Sequence, residues 1–598
     1  MKKNIILILL TAICFAACDD VFEPALENHL QRERMYNDAN FALEFLSKGY
    51  GRLPDFWAYS FSEIATDDAV SNVKTDFFTK MATGQWRADH SAFEEWGNSF
   101  TAIQYLNILL EESDKVQWTI DPITRQLFND RIRGEAYALR GLHLALLLKA
   151  HAGWTEAGEL KGVPVLTHSL DAATSEFNLP RDSYETCMQQ IYKDYAKAEE
   201  LLPLDYHAIT SESEIPAKYA GMEGINIEIY NRVFGDAPRK QYRISARIVK
   251  AFRAQAALFA ASPAYDTGGD ARNTTTWANV ADYAAEVLDL NDGLNKLSNA
   301  GWKWYDQRSE VNNLAEGDNP AEILWRRRGV IDANDWERSN YPPSLYGEGR
   351  INPTQNLVDA FPMKNGYPIE DKTKSGYDAE DPYYNRDPRL AQYIIYNGNA
   401  AGPANKKIWT DLEDPDNVDA LNVTERSTRT GYYMHKLLRH DVNLSPTSTN
   451  TQKHLMPKIR YTEIFLIYAE AANRAYGPDG TGTHAYSARD VMKAIRKRAG
   501  VGGTNDPYLM SISDPNEMDK LIRNERRIEL CFEGFRFWDL RRWKENLTDP
   551  ARGIRIKDYE YTPIEVENRN YKDYMYYGPI PYGEMLKWSN LEQNKGWQ

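Results

Sequence analysis

The stretch Arg523–Trp543, RNERRIELCFEGFRFWDLRRW, is the most strongly patterned part of the chain. It continues a segment that opens with Asp514, Pro515 and Glu517, which are placed as a helix N-cap, a first-turn proline and the acid of a capping box. Apolar residues then recur at helical spacing, so the pattern predicts a helix with one buried face. The residues on that face are Met518, Leu521, Glu525, Ile528 and Phe532.

Glu525 is the acidic residue on this apolar face. A carboxylate that is buried alone is costly, so Glu525 needs a partner. Arginines surround it in the sequence, and we expect them to form an Arg–Glu network rather than a phosphate site. These arginines are Arg523, Arg526, Arg527, Arg536, Arg541 and Arg542.

Outward from this segment, the dominant period is helical. Three segments are apolar around most of their circumference, which is typical of helices covered by neighbours on several sides: 128–150, 245–261 and 461–475. An amphipathic helix is predicted after each of them: 182–202, with Asp182 and Glu185 as a capping box, 277–290 and 487–499. Paired helices with small contact residues are typical of tetratricopeptide-type repeats, here irregularly spaced. The predicted fold class is therefore mainly α.

Residues 291–457 have a different composition, rich in Gly, Pro, Asn and Asp, with short β-like runs. We predict a large loop-rich insertion with short strands, and long loops on a compact body are usually functional. The predicted division of the mature chain is an N-terminal helical part, 18–290, and a C-terminal part, 291–598, which consists of the loop-rich 291–457 and the helical 458–598, all in one compact body.

The N-terminus predicts export. Lys2 and Lys3 precede an apolar stretch of 13 residues, 5–17, which is shorter than the ~20 residues that span a bilayer. The stretch ends in Phe-Ala-Ala before Cys18, which resembles a bacterial lipobox and predicts a signal peptide, 1–17, and an acylated Cys18. The alternative is an ordinary secretory peptide with an incidental cysteine. The Asp19–Asp20 pair resembles a surface-export signal of some Gram-negative bacteria.

Composition excludes several classes of protein. The chain has 598 residues and a net charge of −15, which argues against nucleic acid as a partner because a phosphate backbone needs a basic footprint. The hydrophobic fraction of 42% argues against a disordered chain and a polytopic membrane protein. Beyond Cys18, only Cys187 and Cys531 remain, so no disulfide framework is expected and both thiols are expected to be free.

No catalytic motif stands out in the sequence. It contains no H-E-x-x-H, C-x-x-C, G-x-S-x-G or P-loop pattern. We therefore predict a protein without catalytic activity, cofactor or metal. Two alternatives stay open: a pair of carboxylates for glycoside hydrolysis, whose separation is spatial, and Ca²⁺ binding by an acidic loop that lacks EF-hand spacing. The acids of that loop are Asp411, Asp414, Asp416 and Asp419.

The patterned C-terminal segment resembles the hallmark of the RagB/SusD family of outer-membrane nutrient-binding lipoproteins. Other motifs of this family follow in its order along essentially the whole mature chain, with Lys595 standing where proline is common. The matching segments are GEAYALR at 134–140, GVPVL at 162–166, NPTQNLVDAF at 352–361, NRDPRL at 385–390, YTEI at 461–464, YAEA at 468–471, PIP at 579–581 and QNKGW at 593–597.

The resemblance implies a SusD-like fold and a lipid-anchored subunit on the cell surface. Such a protein covers a SusC-like TonB-dependent transporter of the outer membrane, captures oligosaccharides and passes them on without cleaving them. The repeat helices then face the transporter, and the loops on the other side bind the ligand. Peptides and other nutrients are ligands of some relatives, so they stay an alternative, as does an all-helical glycoside hydrolase.

A sugar ring has apolar C–H faces and polar edges, so its site needs exposed aromatic rings with polar neighbours. The predicted ligand-binding residues are Trp86, Trp302, Trp304, Trp336, Arg338, Asn340, Tyr341 and Tyr346. For each aromatic residue the alternative is core packing, because aromatic residues also dominate cores. Four other tryptophans lie in helical patterns and are expected to be structural: Trp96, Trp277, Trp538 and Trp543.

Overall fold

The structure is a computed structural model that describes residues 28–54, 61–171, 175–235, 242–326 and 331–598. The predicted signal peptide, 1–17, and the predicted lipidation site, Cys18, lie outside these residues. Within the described residues, no helix combines the length and the apolar character that a membrane crossing requires.

Helices make up most of the regular structure, so the prediction of a mainly α fold is confirmed. The α-helices are α1 Asn28–Asn37, α2 Ala39–Gly51, α3 Phe77–Lys80, α4 Trp96–Glu112, α5 Pro122–His151, α6 Tyr184–Leu201, α7 Ala217–Ala220, α8 Ile227–Phe234, α9 Ala246–Ala261, α10 Trp277–Asp289, α11 Arg308–Asn312, α12 Asp335–Asn340, α13 Gln355–Ala360, α14 Pro388–Tyr393, α15 Tyr461–Tyr476, α16 Ala488–Arg498, α17 Pro507–Ser511, α18 Pro515–Leu530, α19 Arg536–Trp543 and α20 Tyr582–Lys587.

The strands are short and pair antiparallel. They are β1 Ala69–Ser71, β2 Gly153–Trp154, β3 Leu160–Lys161, β4 Ile323–Arg326, β5 Ile331–Ala333, β6 Ile351–Pro353, β7 Ile394–Ile395, β8 Asn399–Ala401, β9 Lys406–Ile408, β10 Tyr433–Met434, β11 Gln452–His454, β12 Pro457–Arg460, β13 Ala551–Lys557 and β14 Glu560–Glu567. The pairs among the described residues are β1–β6, β2–β3, β4–β12, β5–β11, β7–β10, β8–β9 and β13–β14. The small sheets fasten loops to the helical frame.

The long helices pack in succession, α2 on α4, α4 on α5, α5 on α6, α6 on α9, α9 on α10 and α10 on α15, with α16 and α18 closing on α15. Small residues permit this close packing. A Cβ at Gly134 would lie 2.7 Å from Leu202, and one at Gly141 would lie 2.7 Å from Tyr195, so these glycines let α5 and α6 approach each other. One hydrophobic core includes α10 and α15, which flank the loop-rich residues in the sequence.

The three predicted apolar helices and their three partners all form, but one cap differs from the prediction. The side chain of Ser183, not Asp182, caps α6 by accepting a hydrogen bond from the Thr186 N–H at 3.0 Å. Asp182 instead accepts one from the Val165 N–H at 2.8 Å. The N-cap predicted for α18 is confirmed, because Asp514 accepts from the Asn516 N–H at 2.9 Å.

A buried network of ion pairs joins the loop-rich part to α18. Glu525 is fully buried as expected, but its arginine partners lie elsewhere in the sequence: Arg389, which it contacts directly, and Arg496, at 3.5 Å. Arg389 also binds Glu529 at 3.0 Å and Asp387 at 2.7 Å. Five of the six nearby arginines that the sequence suggested bind other acids: Arg526 binds Asp539, Arg527 and Arg536 bind Asp67, Arg542 binds Glu470, and Arg523 binds Asp519 and Glu545. The sixth, Arg541, donates to the Phe537 carbonyl at 3.1 Å and lies over the Phe537 ring.

The described cysteines are Cys187 and Cys531, and both are free and buried, as expected. Burial raises the pKa of the Cys187 thiol to about 12, and the Val163 carbonyl accepts its hydrogen bond at 3.3 Å. Both cysteines therefore pack as small apolar side chains.

His143 gives the fold a pH dependence. Burial lowers its pKa from 6.5 to about 4, and the neutral ring bonds the Gly49 carbonyl through Nε2 at 2.9 Å and the Ser99 hydroxyl through Nδ1 at 3.1 Å. The folded state binds the proton of His143 more weakly than the unfolded state does. The contribution of the neutral ring to the free energy of unfolding is therefore present above pH 6.5 and is lost as the pH falls towards 4. Between about pH 6.5 and 5.5 we expect the wild type to lose about 1 kcal/mol more unfolding free energy than His143→Gln. Urea denaturation at the two pH values measures this, and equal losses would contradict it.

Candidate functional site

Five of the eight predicted ligand-binding residues lie in the interior, which corrects the expectation that loops expose them. They are Trp86, Trp304, Trp336, Asn340 and Tyr341. Trp86 is only 3% exposed and its ring lies 5.0 Å from the Trp597 ring. Trp336 meets Phe61 edge-on at 5.4 Å. Their ring faces are covered by the core, so they offer no stacking surface in this conformation.

The polar groups of Asn340 and Tyr341 are used within the fold. The amide of Asn340 donates to the Trp336 carbonyl at 3.0 Å, which ties the side chain to its own helix, α12. The hydroxyl of Tyr341 donates to the Arg439 carbonyl at 2.8 Å. Both donors are therefore used inside the fold.

The other three predicted residues lie at the surface. Trp302 is half-buried, with its ring 6.3 Å from the Tyr393 ring and the ammonium of Lys303 5.1 Å from its centre. Arg338 is exposed on α12. Tyr346 is 54% exposed and follows Leu345, which packs towards Gly402 between β8 and β9. Trp302 and Tyr346 do not stack on each other or form one aromatic surface with Arg338 beside it.

Five other aromatic residues form what we call the aromatic loop surface: Tyr383, Tyr384, Tyr396, Trp409 and Tyr561. Tyr384 is 72% exposed and Trp409 is 48% exposed, although both are large and partly apolar. Tyr383, Tyr396 and Tyr561 are partly exposed. Loops after α13, β7 and β9 and the β13–β14 hairpin carry these residues.

Side chains of two asparagines hold the backbone at Trp409 by hydrogen bonds. Its carbonyl accepts a hydrogen bond from the Asn417 amide at 2.7 Å. The next two backbone N–H groups, of Thr410 and Asp411, donate to the Asn397 side chain at 2.7 and 3.1 Å. The indole lies over Gly398, which has φ +80°, and a Cβ there would lie 3.2 Å from the ring. The fixed loop thus presents one ring face outward.

The tyrosines form a stacked group next to this loop. The rings of Tyr383 and Tyr396 are stacked at 4.3 Å with an interplanar angle of 20°, and the Tyr561 ring meets Tyr383 edge-on at 5.9 Å. The hydroxyl of Tyr383 donates to that of Tyr432 at 3.2 Å, and Tyr432 donates to Gln355 at 2.6 Å. A chain of hydrogen bonds therefore fixes the orientation of the stack.

The hairpin that carries Tyr561 is docked onto the Trp409 loop. The Leu412 N–H donates to the Ile556 carbonyl at 3.0 Å, and the Tyr559 N–H at the hairpin tip donates to Glu413 at 3.2 Å. Tyr559 itself is 87% exposed at this tip. These contacts place the tyrosine stack next to the Trp409 loop.

Polar and charged groups surround the rings. Burial raises the pKa of Tyr561, and the nearby carboxylates of Asp381 and Asp411 raise it further. Burial and then Asp381 raise the pKa of Tyr396 as well. Both phenols thus stay protonated at neutral pH and can donate hydrogen bonds. Flat apolar faces bordered by hydroxyls, amides and carboxylates match the amphipathic surface of a sugar ring.

Carboxylates of the acidic loop at 411–419 accept hydrogen bonds from N–H groups of the loop's own backbone and from that of Ser344. Asp411 accepts from the Glu413 N–H at 3.2 Å, Asp414 from the Asp416 N–H at 2.9 Å and Asp419 from the Ser344 N–H at 2.8 Å. Across the described part of the chain, no group of three or more His, Cys, Asp or Glu side chains is arranged to hold a metal ion.

Two family models match the chain. One, described as "SusD family", matches residues 307–597, and another, described as "Starch-binding associating with outer membrane", matches residues 56–222. The chain belongs to the SusD family. The resemblance carried by the Arg523–Trp543 segment is therefore confirmed.

Similar proteins of the SusD family match nearly the whole chain. SusD-like protein P38 of Formosa agariphila is 22% identical over an alignment of 567 residues that covers 92% of this chain and 94% of that protein. A SusD-like protein of Bacteroides fragilis has a TM-score of 0.68 at 21% identity, covering 94% of this chain and 98% of that one. A SusD-like carbohydrate binding protein of the same species has a TM-score of 0.66 at 21% identity, covering 93% and 100%. These likenesses confirm the SusD-like fold.

The residues of the aromatic loop surface were missed because the candidates predicted from the loop-rich part all lie between Trp302 and Tyr346, before these segments. Two local signals point to them. Trp409 lies in KKIWTDLEDPD, where an indole stands among charged residues, and Tyr383 and Tyr384 lie in DAEDPYY, after three acids and a proline. Neither segment has the apolar periodicity that would bury its aromatic residue.

Proposed function

We propose that this SusD-family protein captures oligosaccharides on the aromatic loop surface and does not cleave them. The observation that carries the proposal is Trp409, 48% exposed on a loop fixed by four hydrogen bonds, next to the Tyr383–Tyr396 stack. Rings held rigidly at the surface stack on a ligand with little loss of conformational freedom. The matching family description of starch binding and the carbohydrate-binding relative support this assignment.

We further propose that the protein hands the glycan to a SusC-like TonB-dependent transporter in the outer membrane. Acylation of Cys18 would anchor the chain, in line with the family description of association with the outer membrane. The aromatic loop surface then faces the captured glycan, and the repeat helices α5, α6 and α9 face the transporter. Co-purification of the transporter with the full-length chain, and its loss with Cys18→Ala, would support this arrangement.

Trp409→Ala is expected to weaken binding of a retained glycan by about 5- to 30-fold. This magnitude follows from the ~1–2 kcal/mol that burial of one sugar face against an indole contributes. Isothermal titration with the oligosaccharide that affinity electrophoresis identifies measures the change. Tyr582→Ala is the control, because Tyr582 is 45% exposed at the start of α20 and lies outside the aromatic loop surface.

Two outcomes would contradict the proposal. Unchanged affinity in Trp409→Ala together with Tyr384→Ala would place the glycan elsewhere. Release of shorter sugars from the polysaccharide by the pure protein would contradict the assignment as a binding protein without catalytic activity.

A further inference from the structure

The aromatic loop surface lies among acidic side chains. The three segments that carry most of its aromatic residues, 378–384, 406–416 and 555–561, contain nine carboxylates and four basic residues. The exposed acids include Asp381, Glu413 and Asp414. Within the described chain, no lysine or arginine lies at ion-pair distance from any of these three. The field at this end of the molecule is therefore negative.

Side chains alternate between the two faces of the β13–β14 hairpin, and two of the four basic residues lie on the face away from the rings. Ile556 pairs with Tyr561 and is buried, so these two side chains share the inner face of the hairpin. Arg555 and Lys557, one position to either side of Ile556, point from the opposite face and are exposed. Their charges, and that of Glu560, which pairs with Lys557 across the hairpin, lie away from the ligand side of Tyr561.

The two remaining basic residues of these segments are on β9, and among the described residues neither lies at ion-pair distance from Asp381, Glu413 or Asp414. The ammonium of Lys406 donates to the Ser344 carbonyl at 3.5 Å. The ammonium of Lys407 lies 5.8 Å from the centre of the Trp409 ring. Asp381 and Asp411 lie near Tyr561. A carboxylate or sulfate group on a sugar bound at Tyr561 would meet these two acids, whereas one at Trp409 would also lie near Lys407.

We propose, building on the proposed function, that the aromatic loop surface selects uncharged glycans and discriminates against uronate-containing and sulfated ones. Two like charges about 8 Å apart in water repel enough to weaken binding roughly twofold, and several carboxylates act together. About tenfold discrimination per charged sugar at low ionic strength is of the expected order. Screening reduces it, because the Debye length falls to about 3 Å at 1 M salt.

The experiment compares one polymer in two charge states. Amylopectin, galactomannan and arabinogalactan are run in affinity gels with the pure protein, and each retained polymer is then compared with its C6-oxidised form, in which primary alcohols have become carboxylates. We expect the oxidised form to bind about tenfold more weakly at about 20 mM salt and much of the loss to be recovered at about 0.5 M. A loss that salt does not reverse would mean that a hydrogen bond to the C6 hydroxyl, not charge, was removed, and would overturn the proposal.

Variants locate the charge effect. Asp381→Asn and Asp411→Asn should each reduce the ratio of neutral-polymer to oxidised-polymer affinity about twofold, whereas Glu223→Gln, which removes an exposed acid in the turn between α7 and α8, should leave this ratio unchanged. Equal or tighter binding of anionic polymers would overturn this inference and leave glycan capture intact. Retention of no glycan at all, charged or neutral, would instead refute the proposed function and this inference with it.

Discussion

Arg389→Met is expected to lower the free energy of unfolding by about 3–5 kcal/mol, because it leaves buried carboxylates without a paired cation. The side chains of Arg389, Asp387, Glu525 and Glu529 have no exposed area. Removing the guanidinium leaves Asp387 without its cation and Glu525 with Arg496 at 3.5 Å. The carboxylates stay in the interior, so their desolvation is no longer offset.

Glu529 shows how strongly this network favours the charged state. Burial opposes its ionisation, yet Arg498, at 3.0 Å, and Arg389 lower its pKa to about 2. Without Arg389 this pKa should rise, and with it the pH at which the protein begins to lose stability on acidification. The variant should therefore be most destabilised relative to the wild type near neutral pH, where the acids are charged.

Urea denaturation at about pH 7 measures the change as a shift of the midpoint at constant slope. Arg426→Met is the matched control, because Arg426 pairs with Glu348 at 2.9 Å at the surface, with side chains 59% and 49% exposed, and such pairs contribute ~0–1 kcal/mol. A destabilisation no larger than that of the control would contradict the expected role of Arg389. If Arg389→Met does not accumulate as folded protein, Arg389→Lys, which retains one charge but not the fork of donors, should give a smaller measurable loss.

The sequence predicted the burial of Glu525 but not its partner. The helical period correctly placed Glu525 on a buried face, because period depends only on local geometry. The choice of a nearby arginine failed because proximity in sequence does not set proximity between elements: Arg389 is 136 residues upstream. A signal was nevertheless present, since Asp387 and Arg389 belong to the NRDPRL motif, whose charges need a structural reason.

The helices were predictable for a different reason. Each apolar segment carries its own period, caps and stop signals, so α5, α9 and α15 begin and end within a few residues of their predicted bounds, apart from the first turns of α5. No comparable local pattern in the sequence indicates whether an aromatic residue in a loop is exposed. It depends on which loops pack over it, and that is why Trp304 and Trp336 are buried whereas Trp409 is exposed.

Trp86→Ala is expected to destabilise the fold by about 3–5 kcal/mol while leaving the glycan affinity of the folded protein unchanged. The indole packs edge-on against Phe537 at 5.8 Å, Tyr571 at 6.2 Å and Trp597 at 5.0 Å, and its N–H donates to Ser91 at 3.0 Å. These residues join the C-terminal end of the chain to α19, so the cavity would open where several segments meet. The remaining rings cannot fill it without moving backbone.

The comparison of Trp86→Ala with Trp409→Ala separates a core indole from a binding one. The first should lower the melting temperature and keep the affinity measured by titration at a temperature where the variant is folded. The second should keep the melting temperature within about a degree and lower the affinity, because its 48% exposed ring contributes less buried area. Trp86→Phe, which retains one ring, should recover part of the lost stability. If Trp86→Ala instead lost glycan binding with an unchanged melting temperature, the ligand would contact Trp86, and the aromatic loop surface would no longer account for recognition.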